Sequence, residues 1–418
     1  MKIDEWSYPY ALFNVYGIEL EYMIVDRATL DVRPVCDALF RAATGADVSA
    51  VEPDGEHGIV SWSNELALHV VELKASRPVA SLDGLADVFQ HHVRRVNALL
   101  EPLDCRLLPS GMHPWMDPDR ETKLWPHENN EIYQTYDRIF GCRGHGWGNL
   151  QSTHINLPFA NNDEFGRLHA AIRLILPLLP ALAASSPVVD GKVSTVANHR
   201  LEVYRSNAVR VPMMTGLVIP EAVFTREAYE RDILGKLYDD LAPHDPKGIL
   251  REEFANARGA IARFDRGAIE IRVLDIQECP QADVALAALI VAVLRALIDE
   301  RWMSYQQQTQ AATEALHAVF IDTIHHAERS LISERSLLDA FGVAQSTVSA
   351  AALWSRLLDD VLPDHPTWTP LLRRMLNAGT LATRIACVLP QTPTHADLAT
   401  IYAELADCLH EGRLFRVP

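Results

Sequence analysis

GIELEYMIVD, residues Gly17 to Asp26, is the stretch on which the reading of this chain turns. Ile18, Leu20, Tyr22 and Ile24 recur at every second position, the period of a strand that sends alternate side chains to opposite faces. That alternation leaves Glu19 and Glu21 together on the other face. Two carboxylates held side by side repel and raise each other's pKa unless positive charge compensates them.

Three further stretches repeat the pattern. In HVVELK, Val71 and Leu73 oppose Glu72; in QSTHINLPF, Ile155 and Leu157 oppose His154 and Asn156; in GAIEIRVLD, Ile269, Ile271 and Val273 oppose Glu270 and Arg272. The strands expected are 19–25, 70–73, 152–157 and 268–274. If they share one sheet, an apolar face goes to the core and the charged groups converge on the other. A hard divalent cation would supply the missing charge, and the oxygen-rich set suits Mg²⁺ or Mn²⁺ better than Zn²⁺. The plainer alternative is an amphipathic antiparallel sheet with its polar face in water. Arg272 carries a planar fork of donors matched to phosphate or carboxylate oxygens, and its plainer role is an ion pair with Glu270. Glu65 precedes Glu72 by an odd spacing, so it can join this face only from a turn, a loop or past a bulge.

The chain has 418 residues and a formal net charge of −17. That charge argues against nucleic acid and anionic membrane surfaces as partners, and is consistent with cation binding or with solubility alone. The six cysteines are scattered without CxxC spacing, and the opening MKIDEWSYPY has no apolar segment of a signal peptide. The longest apolar run, Val284 to Leu294, falls short of a spanning helix. A cytoplasmic protein is the expectation.

Up to about residue 280 the strand candidates mix with helical periodicity at 83–103 and 163–185, which suggests an α+β fold. After Pro280 almost every segment reads as helix, several with Ser, Thr or Asp at a capping position. The expected division is an α+β catalytic core over 1–280 and a helical C-terminal region over 281–418, packed on the core.

Taken in order, GIELEYMIVD, NELALHVVELKASRP, SGMHPWM, QSTHINLPF, LLPALAASSPVVDGK and GAIEIRVLD resemble the glutamate–cysteine ligase family of bacterial and plant-type carboxylate–amine ligases. The resemblance covers roughly residues 15 to 280. It implies a catalytic fold similar to that of glutamine synthetase and the guanidino kinases: a curved, mostly antiparallel sheet with helices on one face, carrying ATP and two or three Mg²⁺ ions on its concave face, with Mn²⁺ as a substitute. By resemblance, Glu19, His154 and Glu270 look like ligands of the ion nearer the ATP phosphates, and Glu21, Glu65 and Glu72 like ligands of the ion nearer the acyl substrate. Arg272 then looks like the cation that steadies the transferring phosphoryl group. Arg200 and Arg205, in NHRLEVYRSN, fall where the family places substrate- and nucleotide-binding arginines. The substrates implied are glutamate or another carboxylate and an amine such as cysteine, in a protein that could be a homodimer.

The glycine-rich CRGHGWGNLQ (142–151) matches neither a P-loop nor a dinucleotide fingerprint, and offers Arg143, His145 and Trp147 as further substrate contacts. Two other readings stand beside the ligase: a phosphotransferase or ATP-hydrolysing enzyme on the same fold, and a non-catalytic nucleotide-binding relative. No covalent nucleophile is required, so none of the cysteines is given a catalytic part.

Overall fold

The computed structural model of the protein describes residues 7–53, 58–250 and 255–416; the first six residues of the opening segment lie outside them. Its centre is an eight-stranded sheet in the order β2-β3-β4-β1-β6-β10-β9, with β5 beside the C-terminal half of β1. The strands are β1 (Gly17–Asp26), β2 (Ala50–Val51), β3 (Val60–Asn64), β4 (Val70–Ala75), β5 (Cys105–Leu108), β6 (Ser152–Pro158), β9 (Ala260–Arg263) and β10 (Ala268–Asp275); a separate hairpin joins β7 (Val188–Val189) to β8 (Lys192–Val193). Every pairing in the sheet is antiparallel. All four expected strands are present. β3, β5 and β9 are too short, or too weakly alternating, to announce themselves in the sequence.

The alternation of β1 becomes burial. Ile18, Leu20, Tyr22 and Ile24 are fully buried, as are Val71, Leu73, Ile155, Leu157, Ile269 and Ile271 on its neighbours. Removing a side chain such as Leu20 from water is worth about 1.5–3 kcal/mol, and ten such residues on one face fix which face turns inward. The covering layer is helical. The helix Leu85–Leu100 buries Phe89, Val93, Val96 and Leu100, and the helix Pro280–Ile298 packs against it and against Asn162–Ile175. Pro280 sits in the first turn of its helix, where the missing N–H costs nothing. By length and composition Pro280–Ile298 could cross a membrane, further than the apolar run alone suggested, yet 78% of its apolar window is buried inside the fold. Its apolarity is that of a central core helix.

Local chemistry sets the boundaries. The Asn161 side chain accepts from the Glu164 backbone and starts Asn162–Ile175. The helical pattern expected to run on to 185 ends at Ile175, continues as a tight turn over Leu176–Leu178 and resumes at Pro180–Ala183, because Pro177 and Pro180 cannot donate to the preceding turn. Beyond residue 298 the elements are helices, among them Thr313–His326, Ala350–Val361, Trp368–Ala378 and His395–Glu411, with one two-stranded exception at Leu331–Ile332 and Val348–Ser349. Residues from both halves of the chain, such as Leu20, Leu289 and Trp354, belong to one apolar core.

Candidate active site

Register decides which side chains meet. Glu19 lies opposite His154 on one neighbour and Lys74 on the other; Glu21 lies opposite Glu72; Glu270 lies opposite Asn156. Residues directly opposite share a face, so the charged sides of β4, β1, β6 and β10 form one continuous surface. A cavity of about 520 Å³ opens over it, lined by Glu19, Glu21, Glu65, Glu72, His154, Glu270, Arg200 and Arg272 among others. A groove of about 450 Å³ between Arg295 and Trp368 takes no residue from this face.

His154 is the hub. Its Nδ1 is 3.1 Å from Glu19 Oε2 and 3.7 Å from Glu270 Oε1, and its Nε2 is 3.8 Å from Glu21 Oε1. Burial alone would lower the His154 pKa, but the hydrogen bond to Glu19 and the charges of Glu21 and Glu270 raise it to about 9. Burial works against ionisation of Glu19, and the His154 hydrogen bond reverses it, leaving Glu19 below the usual carboxylate value. Glu270 is held low against its burial by Arg272, His154 and Arg263; Arg272 Nε is 2.9 Å and Arg263 Nη1 3.3 Å from its oxygens.

Hydrogen bonds orient the remaining oxygens. Asn156 donates to Glu19 Oε1 at 3.0 Å, and the Ser152 backbone N–H and hydroxyl both donate to Glu21 Oε2 at 2.7 Å. Glu72 Oε2 accepts from the Ser63 hydroxyl at 2.5 Å and from Lys74 at 2.6 Å. Glu65 reaches the cavity from the connection just after β3, the loop position its odd spacing from Glu72 requires. Burial and the charge of Glu72 push its pKa well up; burial and the charge of Glu19 push that of Glu72 up.

A bulge carries Arg200 to the site. The register of β10 against β6 shifts between Ile271 and Leu274, so that Asp275 pairs with Ser152 and turns to the charged face, where an uninterrupted strand would have put it in the core. Asp275 accepts from the Ser185 backbone at 2.9 Å, the Ser186 hydroxyl at 2.7 Å and Arg200 Nη1 at 3.2 Å; Arg200 Nη2 donates to the Arg272 carbonyl at 2.8 Å. Arg200 is thereby fixed in the wall, 2% exposed. Arg205 is not brought there. One turn further on, it faces outward and pairs with Glu202 at 2.5 Å. Of the glycine-rich segment, Gly146, Trp147 and Leu150 line the cavity, Trp147 stacking on Phe140, while His145 turns to Asp190 at 3.0 Å and Arg143 does not reach the lining.

The alternation of β1, β4, β6 and β10 was sufficient to put Glu19, Glu21, Glu72, His154 and Glu270 on one face, whereas Glu65 was reached only through the resemblance. Lys74 and Ser152 lie on the same alternation and could have been added by extending it. Arg263 and Ser63 sit on strands whose sequences carry no comparable signal. One oxygen from each of Glu19 and Glu270 and one nitrogen of His154 lie within 4.8 Å of one another, a donor set that fits a divalent cation.

The fold is an antiparallel sheet with helices on one face and convergent carboxylates on the other. A glutamate–cysteine ligase from Francisella tularensis solved in complex with AMP shares it, with a TM-score of 0.58 at 13% identity over 99% of this chain and 91% of that one. In sequence, the profile of glutamate–cysteine ligase family 2 matches residues 15–377, and the chain belongs to that family. An uncharacterized protein of Archaeoglobus fulgidus is 31% identical over 96% of this chain and 99% of its own length. A relative from Corynebacterium glutamicum, provisionally named glutamate–cysteine ligase 2, is 24% identical over 73% of this chain and 76% of its own.

Proposed function

We propose that the protein is an ATP-dependent carboxylate–amine ligase that activates the γ-carboxylate of glutamate for attack by an amine such as cysteine. The observation that carries the reading is the convergence of Glu19, His154 and Glu270 beside Arg272 on the cavity floor. Family membership and the provisional names of relatives support glutamate as the donor, and the AMP complex of a protein with the same fold supports a nucleotide.

A carboxylate is a poor electrophile. Transfer of the γ-phosphoryl group of ATP to it breaks the terminal phosphoanhydride bond and yields an acyl phosphate and ADP; the amine then forms the amide bond, loses a proton and displaces phosphate. Positioning and electrostatic stabilisation supply most of the catalysis of such a transfer. In this reading Glu19, His154 and Glu270 hold a divalent cation, Mg²⁺ or Mn²⁺, which when bound neutralises phosphate charge. His154 would have to be neutral to act as a ligand. Arg272, held by Glu270, aims its fork at the transferring group, and Arg200, locked by Asp275, offers a fixed charge to nucleotide or substrate. Residues 1–280 form the catalytic core in this proposal and 281–418 its helical support.

The test is ADP release with ATP and Mg²⁺, with and without glutamate, across a panel of amines that includes cysteine, with products identified by mass. A γ-glutamyl amide formed together with ADP is the expected result. A phosphorylated acceptor, or ATP hydrolysis indifferent to both carboxylate and amine, would overturn the ligase reading.

A further inference from the structure

Away from the sheet, one wall of the cavity is apolar. Ile132, Tyr133 and Tyr136, at the three-and-four spacing of one helix face, come from the helix Asn130–Phe140, and Trp147 comes from the glycine-rich segment. Between residues 130 and 150 the described lining residues are Ile132, Tyr133, Tyr136, Gly146, Trp147 and Leu150, none of them charged. The polar tips of two of the rings are already taken. Trp147 Nε1 donates to the Asn207 carbonyl at 3.3 Å, and the Tyr133 hydroxyl accepts from Asn64 at 3.0 Å. Trp147 is also held by its neighbours, stacked on Phe140 at 5.4 Å and 5.3 Å from Tyr136. What this wall offers a ligand is a fixed surface of rings and aliphatic carbon.

The cations that line the cavity lie elsewhere, and each has a carboxylate. Lys74 pairs with Glu72, Arg200 with Asp275, Arg263 and Arg272 with Glu270, and Arg266 with Asp265. A nucleotide and glutamate already bring phosphates and carboxylates to these groups. An acceptor with a carboxylate of its own would add a further negative charge beside a wall that has no cation to receive it, and an unpaired buried charge is costly.

We propose that the acceptor is an apolar primary amine without an acidic group, its aryl or branched aliphatic body lying on the wall of Ile132, Tyr133 and Trp147, in preference to cysteine. The inference rests on the ligase reading of the cavity and names the acceptor class within it. The three side chains select the amine and take no part in the chemistry. Its nitrogen forms the amide bond with the acyl carbon, loses a proton and displaces phosphate, whatever body it carries. The place of the wall agrees with this role. Tyr133 is tied to Asn64 at the end of β3, on the far side of β1 from β6 and β10, whereas Glu19, His154 and Glu270, assigned above to phosphate charge, span β1, β6 and β10.

The experiment measures kcat/KM for amide formed from glutamate and ATP with phenethylamine, cysteine or methylamine as acceptor. One methylene in a hydrophobic pocket changes this constant about 10–200-fold, so wild type is expected to favour phenethylamine over each of the others by at least about 10-fold. Trp147→Ala should lower the phenethylamine-to-methylamine ratio by about 10-fold or more, which a merely structural role, acting on all amines alike, would not do. Ile132→Lys puts a cation on the wall and should move the phenethylamine-to-cysteine ratio toward cysteine by at least about 10-fold. Should Trp147→Ala fail to fold, the wild-type preference and Ile132→Lys decide. Cysteine used as well as phenethylamine or better, or ratios that neither variant moves, overturns this inference and leaves the ligase reading standing. No glutamate-dependent ADP release with any amine removes the ligase reading and the inference with it.

Discussion

Asp283 offers a test in which direction and size both follow from the structure. It lies in the first turn of Pro280–Ile298, 1% exposed, with Oδ1 accepting from the Thr153 hydroxyl at 2.6 Å and the Gln277 backbone at 3.0 Å. Burial outweighs those hydrogen bonds and lifts its pKa from 3.8 to about 8. An acid whose folded pKa is raised keeps its proton in the folded state and loses it on unfolding, so between about pH 4 and pH 8 stability falls as pH rises. The slope is about 1.4 kcal/mol per pH unit, and a rise of about four units totals about 6 kcal/mol. Asp283→Asn keeps the Oδ1 acceptor and removes the ionisation. At pH 5 the two proteins are expected to be about equally stable, because the cost of about 1 kcal/mol for the new amide N–H, which lies where Asp283 Oδ2 has no partner, is offset by the stability that wild type has already lost above pH 4. By pH 8 it should be the more stable by several kcal/mol. Urea denaturation of both proteins at each pH unit from 5 to 8 measures the difference, in which groups common to both chains cancel. Parallel stability curves would mean that Asp283 is ionised in the folded protein and would refute the argument.

The remaining tests address the cavity. Glu19→Gln should lower turnover by at least about 100-fold with a melting temperature close to wild type, since its side chain belongs to the site and not to the core; unchanged turnover removes Glu19 from the machinery. Glu270→Gln should be as inactive and also lose about 3–5 kcal/mol of stability, because Arg272 and Arg263 lose a buried counter-charge; a chemical melt that matches wild type contradicts this. Arg272→Lys should lower kcat by about 100-fold with little change in KM, since a point charge cannot reproduce the planar fork, and a kcat within twofold of wild type would return Arg272 to a purely structural ion pair. Gly111→Ala would bring a methyl group to 2.7 Å from the Asp275 carboxylate. Moving Asp275 releases Arg200, so nucleotide binding measured by calorimetry should weaken, and an unaltered affinity would show that Arg200 needs no such lock.

The sequence by itself determined the faces of the sheet. Ile18, Leu20, Tyr22 and Ile24 cannot turn outward without exposing the apolar side of the strand, so Glu19 and Glu21 must share the opposite side, and the same holds for Glu72, His154 and Glu270. The ordered motifs were equally legible, and with them the family. What the sequence could not contain is what depends on neighbours far along the chain. Strand order puts His154 between Glu19 and Glu270, and an antiparallel register places Lys74 opposite Glu19. The one-residue bulge in β10 reverses the side on which Asp275 emerges, and with it the position of Arg200, while Arg205, in the same short motif, turns to solvent. Alternation is a local property of a strand, set by backbone geometry and burial. Pairing, register and bulges are set by which strands meet, and only the folded chain decides that.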